Sequence, residues 1–100
     1  MNYVNVIGST KMKRDLVESA VVFCISELMP RMRTLEIEVN IKNLKSDGVA
    51  GWCYEGDGNR DFYIDVDKSL TGAELLCTVC HEMVHVWQSA TRKMKDMTHG

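Results

Sequence analysis

Apolar and polar side chains alternate strictly over residues 35–42, the pattern of a β-strand with one buried face. Two further β-rich runs, Val49–Glu55 and Asp61–Asp67, flank a Gly-Asp-Gly-Asn-Arg cluster of turn-forming residues. This arrangement predicts one strand followed by an antiparallel hairpin. The core-facing residues of the last strand would be Phe62, Ile64 and Val66.

A spacing of three to four residues between apolar positions predicts two helices. The first covers Lys11–Met29, with Ser9 or Thr10 as its N-cap and Pro30 as its stop. Because its apolar positions recur at helical spacing, we expect one face of this helix to pack inward. The residues of that face would be Leu16, Ala20, Phe23, Cys24 and Leu28.

The second helix begins at about Gly72, with Thr71 as its predicted cap and Glu74 as the capping-box partner. At about 100° per residue, His81 and His85 lie about 40° apart on a polar side of this helix. The opposite side is an apolar arc formed by Leu76, Val79, Cys80, Met83, Val84 and Trp87. The elements together predict an α+β fold in which a small three-stranded sheet, antiparallel or mixed, packs on both helices.

The composition is that of one modest globular domain spanning residues 1–100, with 45% apolar residues and a net charge of −2. This charge gives no basic footprint for nucleic acid, and no apolar run is long enough to span a membrane. The N-terminal segment places its apolar residues before its basic ones, the reverse of a secretory signal. We therefore expect a cytoplasmic protein with reduced cysteines, of which Cys24 and Cys53 would be core residues.

The candidate chemistry lies in the motif His81-Glu82-Met-Val-His85. Two histidines one helical turn apart can bind one Zn²⁺, and Glu82 projects to the side, where it can reach a water without binding the metal. The overlapping Cys77-Thr-Val-Cys80 pattern is a poor metal site by comparison. Cys80 falls in the apolar arc, and Cys77 lies about 12 Å along the helix from His85.

A catalytic zinc site needs a third protein ligand besides the two histidines. The metzincin pattern requires Gly and His where this chain has Gln88 and Thr91, and no glutamate follows Glu82 to complete a gluzincin pattern. Two candidates remain, Asp96 and His99. We favour His99, which would reach the site if the helix ended before it and a short turn brought it back.

From Val49 to Gly100 the chain resembles the SprT-like zinc metallopeptidases, a family that includes the Spartan proteases of eukaryotes. The resemblance rests on the hairpin WCYEGDGNRDFYIDVDKSL, the helix ELLCTVCHEMVHVWQ, and the HG pair at the end of the chain. This combination is more specific than HExxH alone, which several unrelated peptidase families share.

The resemblance implies Zn²⁺ held by His81, His85 and His99, with Glu82 as the catalytic carboxylate. It also implies a minimal zincin-like fold, in which substrate peptide pairs with an edge strand above the active-site helix. The segment Asp61–Asp67 is the candidate for that edge strand.

The chain also departs from the family pattern at its C-terminus. Family members continue past the HG pair with another helix, so this chain is either a very small member or one truncated at its C-terminus. The zinc ribbon and DNA-binding tails of many members are absent here. An association with nucleic acid therefore rests on family analogy alone.

Two functional hypotheses follow from the sequence. The first is a zinc metalloendopeptidase that hydrolyses peptide or protein substrates, with Glu82 as the residue that activates water. The second is a non-catalytic zinc-binding or protein-interaction module that keeps the same fold. The sequence does not identify the residue that stabilises the oxyanion, for which Tyr54, Tyr63 and Arg92 are candidates, and it specifies neither the substrate nor the oligomeric state.

Overall fold

A computed structural model of the chain describes residues 2–58 and 60–99, except for the side chains of residues 93–99. The elements are β1 Tyr3–Ile7, α1 Lys11–Leu28, β2 Glu36–Lys42, a short 3₁₀ turn Lys45–Asp47, β3 Gly51–Glu55, β4 Asp61–Asp67 and α2 Gly72–His99. The sheet has the strand order β1-β2-β4-β3. The first two strand pairs are parallel, and β3 and β4 form an antiparallel hairpin. The predicted α+β class, the mixed sheet and the hairpin are confirmed.

The sheet has four strands, so the prediction of three was wrong. The missed strand is β1, whose sequence YVNVI alternates over only five residues. It is followed by Gly8, whose φ of +100° and close approach to the Ile41 carbonyl oxygen require a residue without a side chain. The α1 helix begins soon after, and the Thr10 hydroxyl accepts a hydrogen bond from the Lys13 N–H at 3.2 Å, which confirms this residue as the N-cap.

Strand register divides the sheet into two faces that differ in character. Cys53 pairs with Ile64, and Ile64 pairs with Val39, so these residues share the face that packs on the helices. Trp52 pairs with Asp65 on the opposite face. Both helices contribute to a single core with the first of these faces, so the fold has two layers. Phe62, Ile64 and Val66 lie in this core, as predicted.

The buried face of α1 differs from the predicted one. Ala20 and Cys24 are buried as expected, but Leu16 and Phe23 are 38% and 62% exposed. Apolar residues surround this helix on nearly every side between residues 16 and 25, so periodicity alone does not select one stripe. Packing against both β1 and α2 selects the stripe instead. Its members are Val17, Ala20, Val21, Cys24 and Ile25.

The buried face of α2 is also turned from its predicted direction, toward Glu82. Val79 and Met83 are fully buried, whereas Val84 and Trp87 are each 37% exposed, so their assignment to the core was wrong. The reason is that α2 packs against both β3 and β4, and these strands cover the Glu82 side of the helix. Among the described residues, neither helix has the length and apolar character needed to cross a membrane.

Candidate metal centre and its cleft

The two motif histidines lie together on the exposed side of α2. Their Nε2 atoms are 3.3 Å apart, and their rings meet edge to face at an interplanar angle of 87°. The i, i+4 spacing produces this approach, because residues four apart are neighbours on a helix surface. Both imidazoles therefore present a nitrogen to the same point in space.

The separation of the two nitrogens fits one zinc ion. Two nitrogens that each lie about 2.05 Å from one zinc, at a tetrahedral angle, are about 3.3 Å apart. The observed Nε2–Nε2 distance is also 3.3 Å. The separation of His81 and His85 is therefore the one that two nitrogen ligands of a single zinc ion require.

Glu82 lies beside this pair but inside the protein. Its side chain is only 6% exposed, although it is a charged residue that follows the exposed His81 and precedes the buried Met83. One ionisable group that shares the cleft with it is Cys53 on β3. Burial raises the pKa of the Cys53 thiol to about 12, and the Glu82 carboxylate adds to that rise. Glu82 thus lies at the floor of the cleft, to one side of the histidines. The helical phase predicted it on the polar side of α2, and packing against β3 and β4 buries it instead.

The wall of the cleft is formed by β3. This strand supplies Gly51, Cys53 and Glu55 on the side facing α2, and all three line the cleft together with the motif residues. Since β3 is the last strand in the sheet order, it is an edge strand. The prediction that Asp61–Asp67 is the edge strand was wrong, because that segment lies between β2 and β3 and pairs with both.

Gly51 sets how closely β3 approaches α2. A Cβ atom at this position would lie 2.9 Å from the Asp65 carbonyl oxygen and 2.9 Å from the Thr78 Cγ2 atom. Both distances are shorter than side chains in folded proteins tolerate. The absence of a side chain at Gly51 therefore allows the edge strand to lie directly against α2, one turn before His81.

The described side chains offer no third candidate ligand beside the histidine pair. Within the part of the chain where side chains are described, no group of three or more His, Cys, Asp or Glu residues could hold a metal ion. The side chains of Asp96 and His99 lie outside that part. The backbone of α2 continues to His99 without the expected turn, because residues 89–98 include neither Gly nor Pro. His99 thus stays a predicted ligand, and it would reach the site only if the last turns of α2 unwound.

The four cysteines are reduced, and none of them adds to the histidine pair. The sulfur atoms of Cys24 and Cys80 are 3.4 Å apart between α1 and α2, while Cys77 is exposed. Burial, and next the hydrogen bond to Cys80, raise the pKa of Cys24 to about 12. The Cys77-x-x-Cys80 pattern is therefore split between the surface and the packed helix pair.

Sequence reasoning missed the contribution of β3 to the site. Cys53 was expected in the core, and it is half-buried at the cleft beside Glu82. The pairing register of the hairpin indicates which β3 residues face α2. Once Phe62, Ile64 and Val66 are placed on the helix side, antiparallel pairing places Glu55, Cys53 and Gly51 there too.

Comparison with protein-family models, with curated proteins and with solved structures finds no match to this chain.

Proposed function

We propose that this chain is a zinc-dependent metallopeptidase of the SprT-like type, with a minimal zincin-like fold. The observation that carries the proposal is the 3.3 Å separation of the His81 and His85 Nε2 atoms, beside a buried Glu82 and beneath an edge strand. A histidine pair, a neighbouring carboxylate and an accessible strand edge are the parts that peptide hydrolysis at a zinc site requires. His99 is the proposed third ligand.

Each residue of the motif has a separate chemical role in this proposal. His81 and His85 would hold the zinc through their Nε2 atoms. Bound zinc would polarise the scissile carbonyl and lower the pKa of the attacking water. Glu82 accepts the proton of that water on its carboxylate and returns it to the leaving amine. The position of Glu82 at the floor of the cleft keeps its carboxylate close to the reacting atoms and largely shielded from bulk water.

Strand β3 provides the route by which a peptide enters the site. Among the described strands, β3 pairs only with β4, so its other edge can accept an extended peptide by main-chain hydrogen bonding. A peptide added there lies along the cleft that Cys53 and Glu55 share with the histidines. The substrate class that this geometry favours is an unfolded or extended polypeptide.

The test is the substitution Glu82→Gln, assayed with an unfolded protein as substrate and with zinc content measured on the same preparation. We expect zinc binding to be kept and hydrolysis to fall by at least about 100-fold, since the general base is lost. Glu74→Gln, an exposed change in the first turn of α2, is the matched control and should keep full activity. Hydrolysis by Glu82→Gln at the wild-type rate would overturn the mechanism.

A second function is favoured by one observation, which is that the described side chains supply only two of the ligands that a catalytic zinc needs. In that case the chain is a non-catalytic zinc-binding or protein-interaction module with the same fold. The two proposals differ in one measurement. If the wild-type protein binds zinc but cleaves no unfolded substrate, the result supports the module and excludes the peptidase.

A further inference from the structure

The sheet face opposite the helices carries a hollow with an unusual buried carboxylate. Asp65 is 2% exposed, although it lies on the face that neither helix covers. Its Oδ2 atom accepts a hydrogen bond from the Trp52 Nε1 at 2.8 Å and lies 3.3 Å from the Lys42 Nζ atom. Its Oδ1 atom is buried and has no hydrogen-bond partner among the described residues. A buried carboxylate oxygen without a partner is costly and therefore calls for an explanation.

The hollow around Asp65 is bordered by aromatic side chains on the edge strand. Its lining residues are Lys42, Trp52, Cys53, Tyr54 and Asp65. Trp52 and Tyr54 are 43% and 47% exposed, so their rings are accessible from solvent. Tyr54 also stacks on Tyr63, with ring centroids 5.3 Å apart, which fixes the aromatic rim in place. Exposed aromatic faces beside a carboxylate form an environment that favours a cation.

Several carboxylates lie near Tyr63 on this face. The pKa of Tyr63 is raised from its ordinary value, first by the Asp61 carboxylate, next by desolvation, and then by Glu38 and Asp57. Lys42 is the cation beside the hollow, and its side chain is 55% exposed. An exposed lysine holds such a position weakly, because an ion pair with one partner in solvent contributes little. A cation from another molecule can therefore replace it at Asp65.

We propose that this hollow binds the cationic side chain of a lysine or arginine in an extended peptide paired with β3. This inference rests on the docking edge of the proposed function and names its substrate class, a polypeptide with a basic residue near the paired segment. The cation would lie over the Trp52 ring, replace Lys42 at the Oδ2 atom of Asp65, and also pair with the Oδ1 atom, which has no hydrogen-bond partner among the described residues. Peptides with a neutral residue at that position would leave Asp65 paired with Lys42 and would bind more weakly.

The geometry of strand addition supports this placement. Side chains of an added strand alternate between the two faces of the sheet, so every second residue lies on the open face beside Trp52 and Tyr54. The main chain of such a peptide lies about two strand spacings, or about 9.6 Å, from β4. An extended arginine or lysine side chain spans most of that distance across the Trp52 ring. The planar guanidinium of arginine can stack on the indole, and a lysine ammonium can lie over its face.

The experiment measures fluorescence anisotropy of two labelled unstructured peptides that differ at one central position, Arg or Gln. It uses the full chain with chelator present, so that neither zinc nor turnover affects the result. We expect the Arg peptide to bind about tenfold more tightly than the Gln peptide. Asp65→Asn should remove that difference, and Lys42→Gln should strengthen Arg-peptide binding by about threefold, since the competing cation is gone.

Matched controls separate the hollow from a general charge effect. Asp47→Asn and Lys45→Gln make the same charge changes on the 3₁₀ turn and should leave both affinities unchanged. The proposal would be overturned if the two control variants changed the peptide affinities as much as Asp65→Asn and Lys42→Gln do. Equal binding of the Arg and Gln peptides to the wild type would also overturn it. Thermal melts of each variant show whether it is folded. Lys42→Gln changes an exposed side chain, so it tests the idea even if Asp65→Asn does not fold.

Two further outcomes identify which part of the proposal fails. Competition by free arginine amide at the affinity of the whole Arg peptide would overturn pairing with β3, because the side chain alone would then account for binding. Selective binding of the Arg peptide by a protein that has no peptidase activity would support the hollow and reject the proposed function. These outcomes distinguish a failure of the proposed cation site from a failure of the proposed peptidase function.

Discussion

Single residues in this protein determine how closely its parts approach one another. Gly51 is the clearest case, because the backbone of Asp65 and the methyl group of Thr78 occupy the space where its side chain would be. Gly58 in the hairpin turn is different, since a Cβ atom there would meet its nearest neighbour at an ordinary contact distance of 3.5 Å. The two glycines therefore respond differently to the same substitution.

We expect Gly51→Ala to lower the free energy of unfolding by about 1–3 kcal/mol, the usual cost of overpacking. Gly58→Ala is the control and should change it by less than about 0.5 kcal/mol. Urea unfolding of both variants measures the difference. Adding Thr78→Ser to Gly51→Ala removes one of the two clashing atoms and should restore part of the loss. Equal stability of the two alanine variants would show that β3 does not pack on α2 as described.

The sequence predicted the candidate site where a local rule was sufficient. The spacing of His81 and His85 within one helix was enough to predict that their rings converge, whereas the burial of Glu82 depends on the packing of α2 against β3 and β4. Cys53 and the Trp52–Asp65 contact depend instead on the register between two strands, which no local pattern contains. His99 depends on the path of the chain after α2, and its role as a ligand stays a prediction.

At the scale of elements, short polar contacts fix how strands and turns meet. The end of β4 is one such point, where Asp67 is 7% exposed. Its Oδ1 atom accepts a hydrogen bond from the Leu44 N–H at 2.9 Å, and its Oδ2 atom accepts one from the Ser69 hydroxyl. These bonds tie the segment after β2 to the turn before α2. They favour the charged carboxylate and lower the pKa of Asp67, with the Leu44 N–H as the largest cause.

This pKa shift predicts how stability depends on pH. Because the pKa of Asp67 in the folded state is below its ordinary value of 3.8, its contribution is complete above that pH and is lost as pH falls through the folded pKa. We expect Asp67→Asn to be less stable than wild type at pH 7, and the difference to shrink below about pH 4. Denaturant unfolding across this range measures it, with Asp47→Asn as control. A difference that is constant with pH would contradict the assignment.

The boundaries of helices and strands were predicted better than the faces on which the helices are buried. Strand β4 was predicted at its observed bounds, and α1 was predicted to end one residue late, because capping and turn residues mark these ends locally. The exposed Phe23 and Trp87 show the limit of the method. Which apolar stripe is buried depends on the neighbours of a helix, and the parallel strand β1, which α1 contacts, was not predicted.

At the scale of the whole molecule, the two layers place the histidine pair on a helix that packs against β3, β4 and α1. The histidines themselves are at the surface, outside the buried core. Zinc binding would still add stability, because a ligand that binds only the folded state shifts the unfolding equilibrium.

We expect saturating zinc to raise the melting temperature of the wild type, and a chelator to reverse the increase. His85→Ala should abolish the effect, whereas Glu82→Gln should keep it, which separates metal binding from catalysis. His99→Ala and Asp96→Ala test the third ligand in the same assay. An unchanged zinc effect in His99→Ala would remove that residue from the site. Differential scanning calorimetry gives the melting temperatures.

The exposed edge of β3 has one more consequence, which concerns the protein at high concentration. An edge strand presents main-chain donors and acceptors that can pair with any other extended chain, including β3 of a second molecule. Two molecules joined in this way would each cover the other's cleft. The proposed peptidase activity per molecule would then fall as the protein is concentrated, and it would recover on dilution.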